Sequence, residues 1–143
     1  MKKITILFFA FLAVLFSCEK NDIEGPSLND LYGPLDILES FKIVGDSVDF
    51  ENDEILYFTA SFSKIVDWKI KIRGQTSGSL KIISGKSNFI NLNNSSWEGS
   101  STELPFFVSE NCDVELSFEI HDDIFQDTLY ISSAKNYNNE STV

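Results

Sequence analysis

From residue 35 onward, apolar positions recur with a period of two, the alternation of half-buried strands rather than the 3.6-residue repeat of a helix. The clearest run covers residues 66–73. Val66, Trp68, Ile70 and Ile72 take one phase, and Asp67, Lys69, Lys71 and Arg73 take the other. A second run has Val114, Leu116, Phe118 and Ile120 against Asp113, Glu115, Ser117 and Glu119, and a third alternates Leu129 and Ile131 with Thr128 and Tyr130. The pattern predicts strands over 41–44, 54–63, 66–73, 80–83, 89–92, 104–108, 113–120 and 125–132. Residues 74–79, Gly85, the polar stretch 93–102 and His121-Asp122-Asp123 serve as turns or loops. Pro105 stands at a strand entrance, where its missing N–H costs least. Only 35–40 reads as a helical turn.

About eight short strands, each with one apolar and one polar face, predict an all-β domain: a single antiparallel β-sandwich. Trp68 on an early central strand resembles the core tryptophan of immunoglobulin-like and fibronectin-III-like domains, over residues 40–133. That resemblance implies an Ig-like sandwich lacking the inter-strand disulfide. The chain has two cysteines, and only Cys112 falls within this region.

The first residues concern compartment. Lys2 and Lys3 precede an apolar run over 4–16, broken only by Thr5. The run is shorter than the about 20 residues a membrane-spanning helix needs, and it has the length and flanks of a signal-peptide core. It ends in Leu15-Phe16-Ser17-Cys18, which resembles the lipobox of bacterial lipoproteins. The resemblance implies cleavage before Cys18 and a diacylglycerol on its sulfur, and hence membrane attachment through that lipid. An ordinary secretory signal or a short anchor is the alternative. Cys18-Glu19-Lys20-Asn21-Asp22 resembles the lysine-plus-acid signal of Bacteroidetes-type surface lipoproteins, implying an outer-membrane, surface-exposed location. Asp46-Ser47-Val48 and Asp127-Thr128-Leu129 resemble the O-glycosylation acceptor of the same bacteria. The expected organisation is a signal peptide over 1–17, a lipidated cysteine and tether over 18–34, the β-domain over 35–133 and an Asn-rich polar tail over 134–143.

Charge narrows the partners. The chain has 11 basic and 22 acidic residues; cleavage would remove Lys2 and Lys3 and no acid, leaving a formal charge of −13. Such a surface repels nucleic acid, so no nucleic-acid partner is expected.

Catalytic and metal chemistry find little support. His121 is the sole histidine, at a turn beside two aspartates, with no G-x-S-x-G elbow elsewhere; an exposed turn histidine is expected. One histidine and one free cysteine cannot complete a zinc site. Asp122, Asp123 and Asp127 offer calcium-type oxygens but match no calcium-loop spacing. Two carboxylates at glycosidase distance would arise by chance among 22 acids. Cys112 lacks nearby cations in sequence and reads as a buried thiol, with a nucleophile or an intermolecular bridge as alternatives. The expectation is a non-catalytic protein with no cofactor and no metal.

Binding residues are the remaining candidates. Trp97 lies in a polar loop with Asn94 and Glu98, and Tyr130 occupies the polar phase of its strand. Aromatic rings flanked by amides and acids are the chemistry of sugar stacking. The same tryptophan could instead fold back to cap the core. The expected function is a lipid-anchored envelope binding module for a glycan or protein partner. The alternatives are an accessory lipoprotein of an outer-membrane glycan-uptake system and a structural spacer.

Overall fold

The computed structural model describes residues 31–137, so the lipobox, Cys18 and most of the tether and tail lie outside the described residues. Six strands form one sheet: β1 (Ile37–Val44), β2 (Ser47–Asp49), β3 (Tyr57–Gly74), β4 (Leu80–Ile90), β5 (Glu110–Phe118) and β6 (Ile124–Ser133). A 3-10 turn covers Phe50–Asn52, and a single helical turn, α1, covers Leu92–Ser95.

The all-β expectation holds, but the strands make one curled sheet where two sheets of a sandwich were expected. The hydrogen-bonded order is β1-β3-β5-β6-β2, with β4 on the other side of β3. The two ends of that order, β1 and β2, are consecutive in sequence and separated only by Gly45 and Asp46. β1 pairs antiparallel with β3, while β2 pairs parallel with β6. A chain that crosses from one end of the sheet to the other in two residues forces the sheet to wrap round, giving a half-barrel. Gly45, at φ +111°, takes the backbone conformation this crossing needs, one that side chains with a Cβ rarely adopt.

β3 organises the rest. Its 18 residues merge the two strands expected over 54–63 and 66–73. Its first half pairs with β1 and its second with β5 along one edge, and β4 pairs along the other. The alternation keeps its phase throughout: Phe58, Ala60, Phe62, Val66, Trp68, Ile70 and Ile72 are all buried. Lys64 interrupts the apolar phase, which is why the sequence reads as two strands. Its Nζ donates to the carbonyls of Tyr32 and Gly33, both at 2.8 Å, so the end of the expected tether docks on β3.

β4 likewise merges two expected strands. Gly85 is not a break; it makes room for a neighbour. A Cβ there would lie 2.5 Å from the Trp68 ring. The indole crosses β4 at this point and its N–H donates to Ser87 Oγ at 2.9 Å. Trp68 is 2% exposed, as the alternation predicts.

Two other local expectations change. Residues 35–40 are extended, mostly within β1, because β1 finds a partner in β3. Residues 104–108 are irregular and contain a cis Leu104–Pro105 bond. This segment crosses the end of the sheet: Ser79 Oγ donates to the Pro105 carbonyl at 2.7 Å, and Phe107 enters the core. The expected polar tail also begins with a contact, Tyr137 stacking on Phe106 at 4.3 Å. No helix among the described residues is long and apolar enough to cross a membrane.

Candidate functional site

The residues singled out for recognition do not converge. Trp97 is 1% exposed. Its backbone bridges Leu56, with Leu56 N–H donating at 3.0 Å and Trp97 N–H donating back at 2.7 Å. Its ring meets Phe50 and Phe107 edge-on, with centroids 4.7 and 5.0 Å away, and its indole N–H donates to the Ser100 carbonyl at 2.8 Å. Of the two readings of this loop, the structure has the core cap, because a ring buried on both faces presents none to a sugar. Gly99, at φ +84°, lets the loop close; a Cβ there would meet the Phe50 ring at 2.7 Å.

Asn94 is committed to its own backbone. It completes a capping box with Asn91, accepting the Asn91 N–H at 2.8 Å and donating to the Phe89 carbonyl at 3.0 Å. Glu98 is exposed. Tyr130 is 43% exposed on β6, and its hydroxyl lies 3.3 Å from Ser109 Oγ.

Tyr130 does border a larger feature, the outer face of the sheet. On β3 the outward residues run Asp67, Lys69, Lys71, Arg73; on β5 they run Ser117, Glu115, Asp113, with Glu119 just past its end. The register sets Lys71 opposite Glu115 and Arg73 opposite Asp113, so a basic column abuts an acidic one. Lys71 Nζ lies 3.7 Å from Glu115, and Lys86 on β4 lies 2.8 Å from Asp67. The Asp67 partnership pushes the Lys86 pKa up through a hydrogen bond and direct attraction. An open groove of about 600 Å³ follows these columns, lined by Lys71, Arg73, Glu115, Gln126, Asp127 and Thr128. A second, of about 560 Å³, lies over Asp67, Lys69, Gly85, Lys86 and Glu119. Both are shallow, the first mainly polar and the second mixing charged side chains with Trp68 and Phe118, and both have room for an extended ligand.

The free edge of β4 adjoins the second groove. In an antiparallel ladder each residue points its N–H and C=O to one side, and the side alternates along the strand. The Leu80 carbonyl accepts from Thr102 N–H at 2.8 Å and Ile82 N–H donates to Thr102 Oγ1 at 2.9 Å, so even-numbered residues here face away from β3. The 102–103 segment therefore covers the first turn of this edge. Beyond it, no strand among the described residues pairs with the outward backbone groups of Ser84 and Lys86, and both residues are exposed.

The buried titratable groups have structural work. Glu110, 3% exposed, falls on the inward phase of β5. Its carboxylate accepts from Thr76 N–H at 2.7 Å, Ser77 N–H at 2.9 Å, Ser77 Oγ at 2.6 Å and Val108 N–H at 3.2 Å. Desolvation pulls its pKa up, but these donors outweigh it and hold the carboxyl below its ordinary value. Sequence reasoning missed Glu110, although an acid in phase with Cys112, Val114, Leu116 and Phe118 is a visible anomaly. Cys112 is fully buried, and burial, aided by Glu110 and Asp113, pushes its thiol up to about 12. That is the inert, structural form of a thiol.

His121 is 6% exposed, not the exposed turn residue expected. The turn folds back so that the imidazole joins Tyr32, Lys64, Val66 and Ile120 around a cavity of about 170 Å³. Asp122, Asp123 and Asp127 are exposed, and among the described residues no three His, Cys, Asp or Glu side chains stand close enough to hold a metal. Ser47 and Thr128, the acceptors of the two glycosylation-like patterns, are exposed.

No protein-family model, curated protein or solved structure matches the chain.

Proposed function

We propose that this chain is a lipid-anchored, non-catalytic binding module of a bacterial cell envelope. Its lipid would sit on Cys18 and its β-domain would meet a partner outside the membrane, at the surface of the outer membrane. The anchor rests on Leu15-Phe16-Ser17-Cys18 after the apolar run, and the surface location on Cys18-Glu19-Lys20-Asn21-Asp22. The binding role rests on one observation above the others: the β4 edge, whose outward backbone donors and acceptors meet no strand among the described residues and stand beside a shallow groove of mixed charged and apolar lining. Unpaired strand edges are usually covered, and those left open are sites of strand addition by another chain. A protein partner therefore has the better support.

A glycan is the second reading, favoured by Tyr130 beside the polar side chains of the Lys71–Thr128 groove. It rests on that ring alone, because Trp97 is sealed in the core. Metabolic labelling with a palmitate analogue tests the anchor. Label should enter the wild type and be lost in Cys18→Ala, and protease added to intact cells should digest the domain. Label persisting in Cys18→Ala would remove the anchor from the proposal. Glycan-array binding that is lost in Tyr130→Ala would move the partner from protein to sugar.

A further inference from the structure

We infer that the open edge of β4 takes an extended acidic segment of a partner protein, added as a seventh strand with an acid opposite Lys86. This rests on the binding-module reading and names the kind of partner. Backbone comes first. Ser84 and Lys86 aim their N–H and C=O groups away from β3, and no segment among the described residues covers them, whereas the 102–103 segment occupies the edge from Leu80 to Ile82. An added strand gains main-chain hydrogen bonds here without displacing any part of the fold.

Charge selects the occupant. The β3–β4 hairpin carries six of the chain's eleven basic residues, Lys64, Lys69, Lys71, Arg73, Lys81 and Lys86, and one acid, Asp67. β5 supplies acids to the outward residues of β3 on one side. Among the described residues, β4 has no strand on its other side to do the same. Lys86 is bonded to Asp67 on the β3 side at 2.8 Å, and its opposite flank faces solvent at the open edge. An acid on an added strand would extend the cross-strand charge row, acid–Lys86–Asp67.

A second copy of this chain fits worse. Antiparallel pairing of two β4 strands about Gly85, the centre of the open edge, sets Lys86 opposite Ser84, so neither lysine gains an acid and the two lie as diagonal like-charged neighbours. Two whole chains of net charge −11 also repel. Apolar residues on the other face of the added strand would meet Ile83, which packs against the core on the inner side of β4. The expected segment therefore alternates acid and apolar positions.

The test is amide chemical-shift mapping on the isotope-labelled full-length protein in a neutral detergent, titrated with a short peptide alternating valine and glutamate. Shifts should concentrate on Ser84, Lys86 and their neighbours. Affinity should fall about tenfold or more for the valine–lysine peptide, for the glutamate peptide N-methylated at alternate residues, and for the fully folded Lys86→Glu variant. Equal affinity for the two charge types, shifts centred elsewhere, or no binding at millimolar peptide would each overturn the inference. So would concentration-dependent self-association that shifts the same amides without peptide. A protein that still incorporates lipid at Cys18 and binds glycan through Tyr130, yet ignores the peptide, would overturn the edge inference alone and leave the binding module standing.

Discussion

Glu110→Gln is the most informative single perturbation of the fold. The carboxylate ties the β3–β4 loop to the start of β5 through four donors: the Thr76 and Ser77 N–H groups on one oxygen, and the Ser77 hydroxyl and Val108 N–H on the other. The site has no slack, since a Cβ on Gly74 would sit 2.5 Å from that carboxylate. Glutamine matches the shape but keeps only one acceptor oxygen, and its amide nitrogen must face two donors. Hydrogen bonds to a charged group contribute about 1.5–3 kcal/mol each, so two lost bonds amount to about 3–6 kcal/mol. The amide's smaller desolvation cost offsets part of this, leaving a net loss of about 2–4 kcal/mol.

Acidity supplies an internal control. The carboxyl of Glu110 is held below its ordinary value in the fold, so the unfolded chain binds its proton first as pH falls. Its contribution is fully present above the unfolded carboxyl value and is lost as pH falls through the lower, folded value. Urea denaturation of wild type and Glu110→Gln across pH 3–7 reads both effects. The two proteins should differ most near pH 7 and converge in acid. A variant with the wild-type midpoint at pH 7, or a difference that does not shrink in acid, would refute the assignment of Glu110 as a charged staple.

Two further outcomes follow from buried groups. Trp97→Ala should destabilise the domain by about 3–5 kcal/mol, the range for a large aromatic cut out of a core, as measured by thermal or urea unfolding; an unchanged midpoint would refute the capping role. Cys112, with its thiol pushed up to about 12, should resist alkylation at pH 8 in the folded protein and react at the rate of a free thiol in urea, and fast labelling of the native form would refute its burial.

Alternation was the legible part of the fold. It placed Val66, Trp68, Ile70, Ile72, Val114, Leu116, Leu129 and Ile131 in the core, because side-chain phase in a strand is local and strict. Strand limits were less legible. Lys64 and Gly85 look like interruptions by local rules, yet each is absorbed by a distant partner: the Tyr32 and Gly33 carbonyls for one, the Trp68 ring for the other. Phase also carries no information on which strand pairs with which, so one sheet curled on itself and two sheets face to face present the same pattern. For the candidate site, composition could nominate Trp97 but not orient it. Its direction depends on Phe50, Phe107 and the turn at Gly99, which the fold alone brings together.

Closure decides which edge remains available. β2 is three residues long and is tied to β1 by a two-residue crossing, so the edge it offers is short. β1 turns toward β6 as the sheet curls, because both ends of the hydrogen-bonded order belong to one stretch of chain. β4 stands outside this circuit, paired with β3 alone among the described strands, and curling cannot bring it a partner. The chain covers its beginning with residues 102–103 and leaves Ser84 and Lys86 open. A lysine on an edge strand is a common device against indiscriminate pairing. Here it is bonded to Asp67 and so held in place beside the edge, where it repels a second copy and attracts an acid. The feature that blunts self-association is therefore the same one that would give strand addition its selectivity.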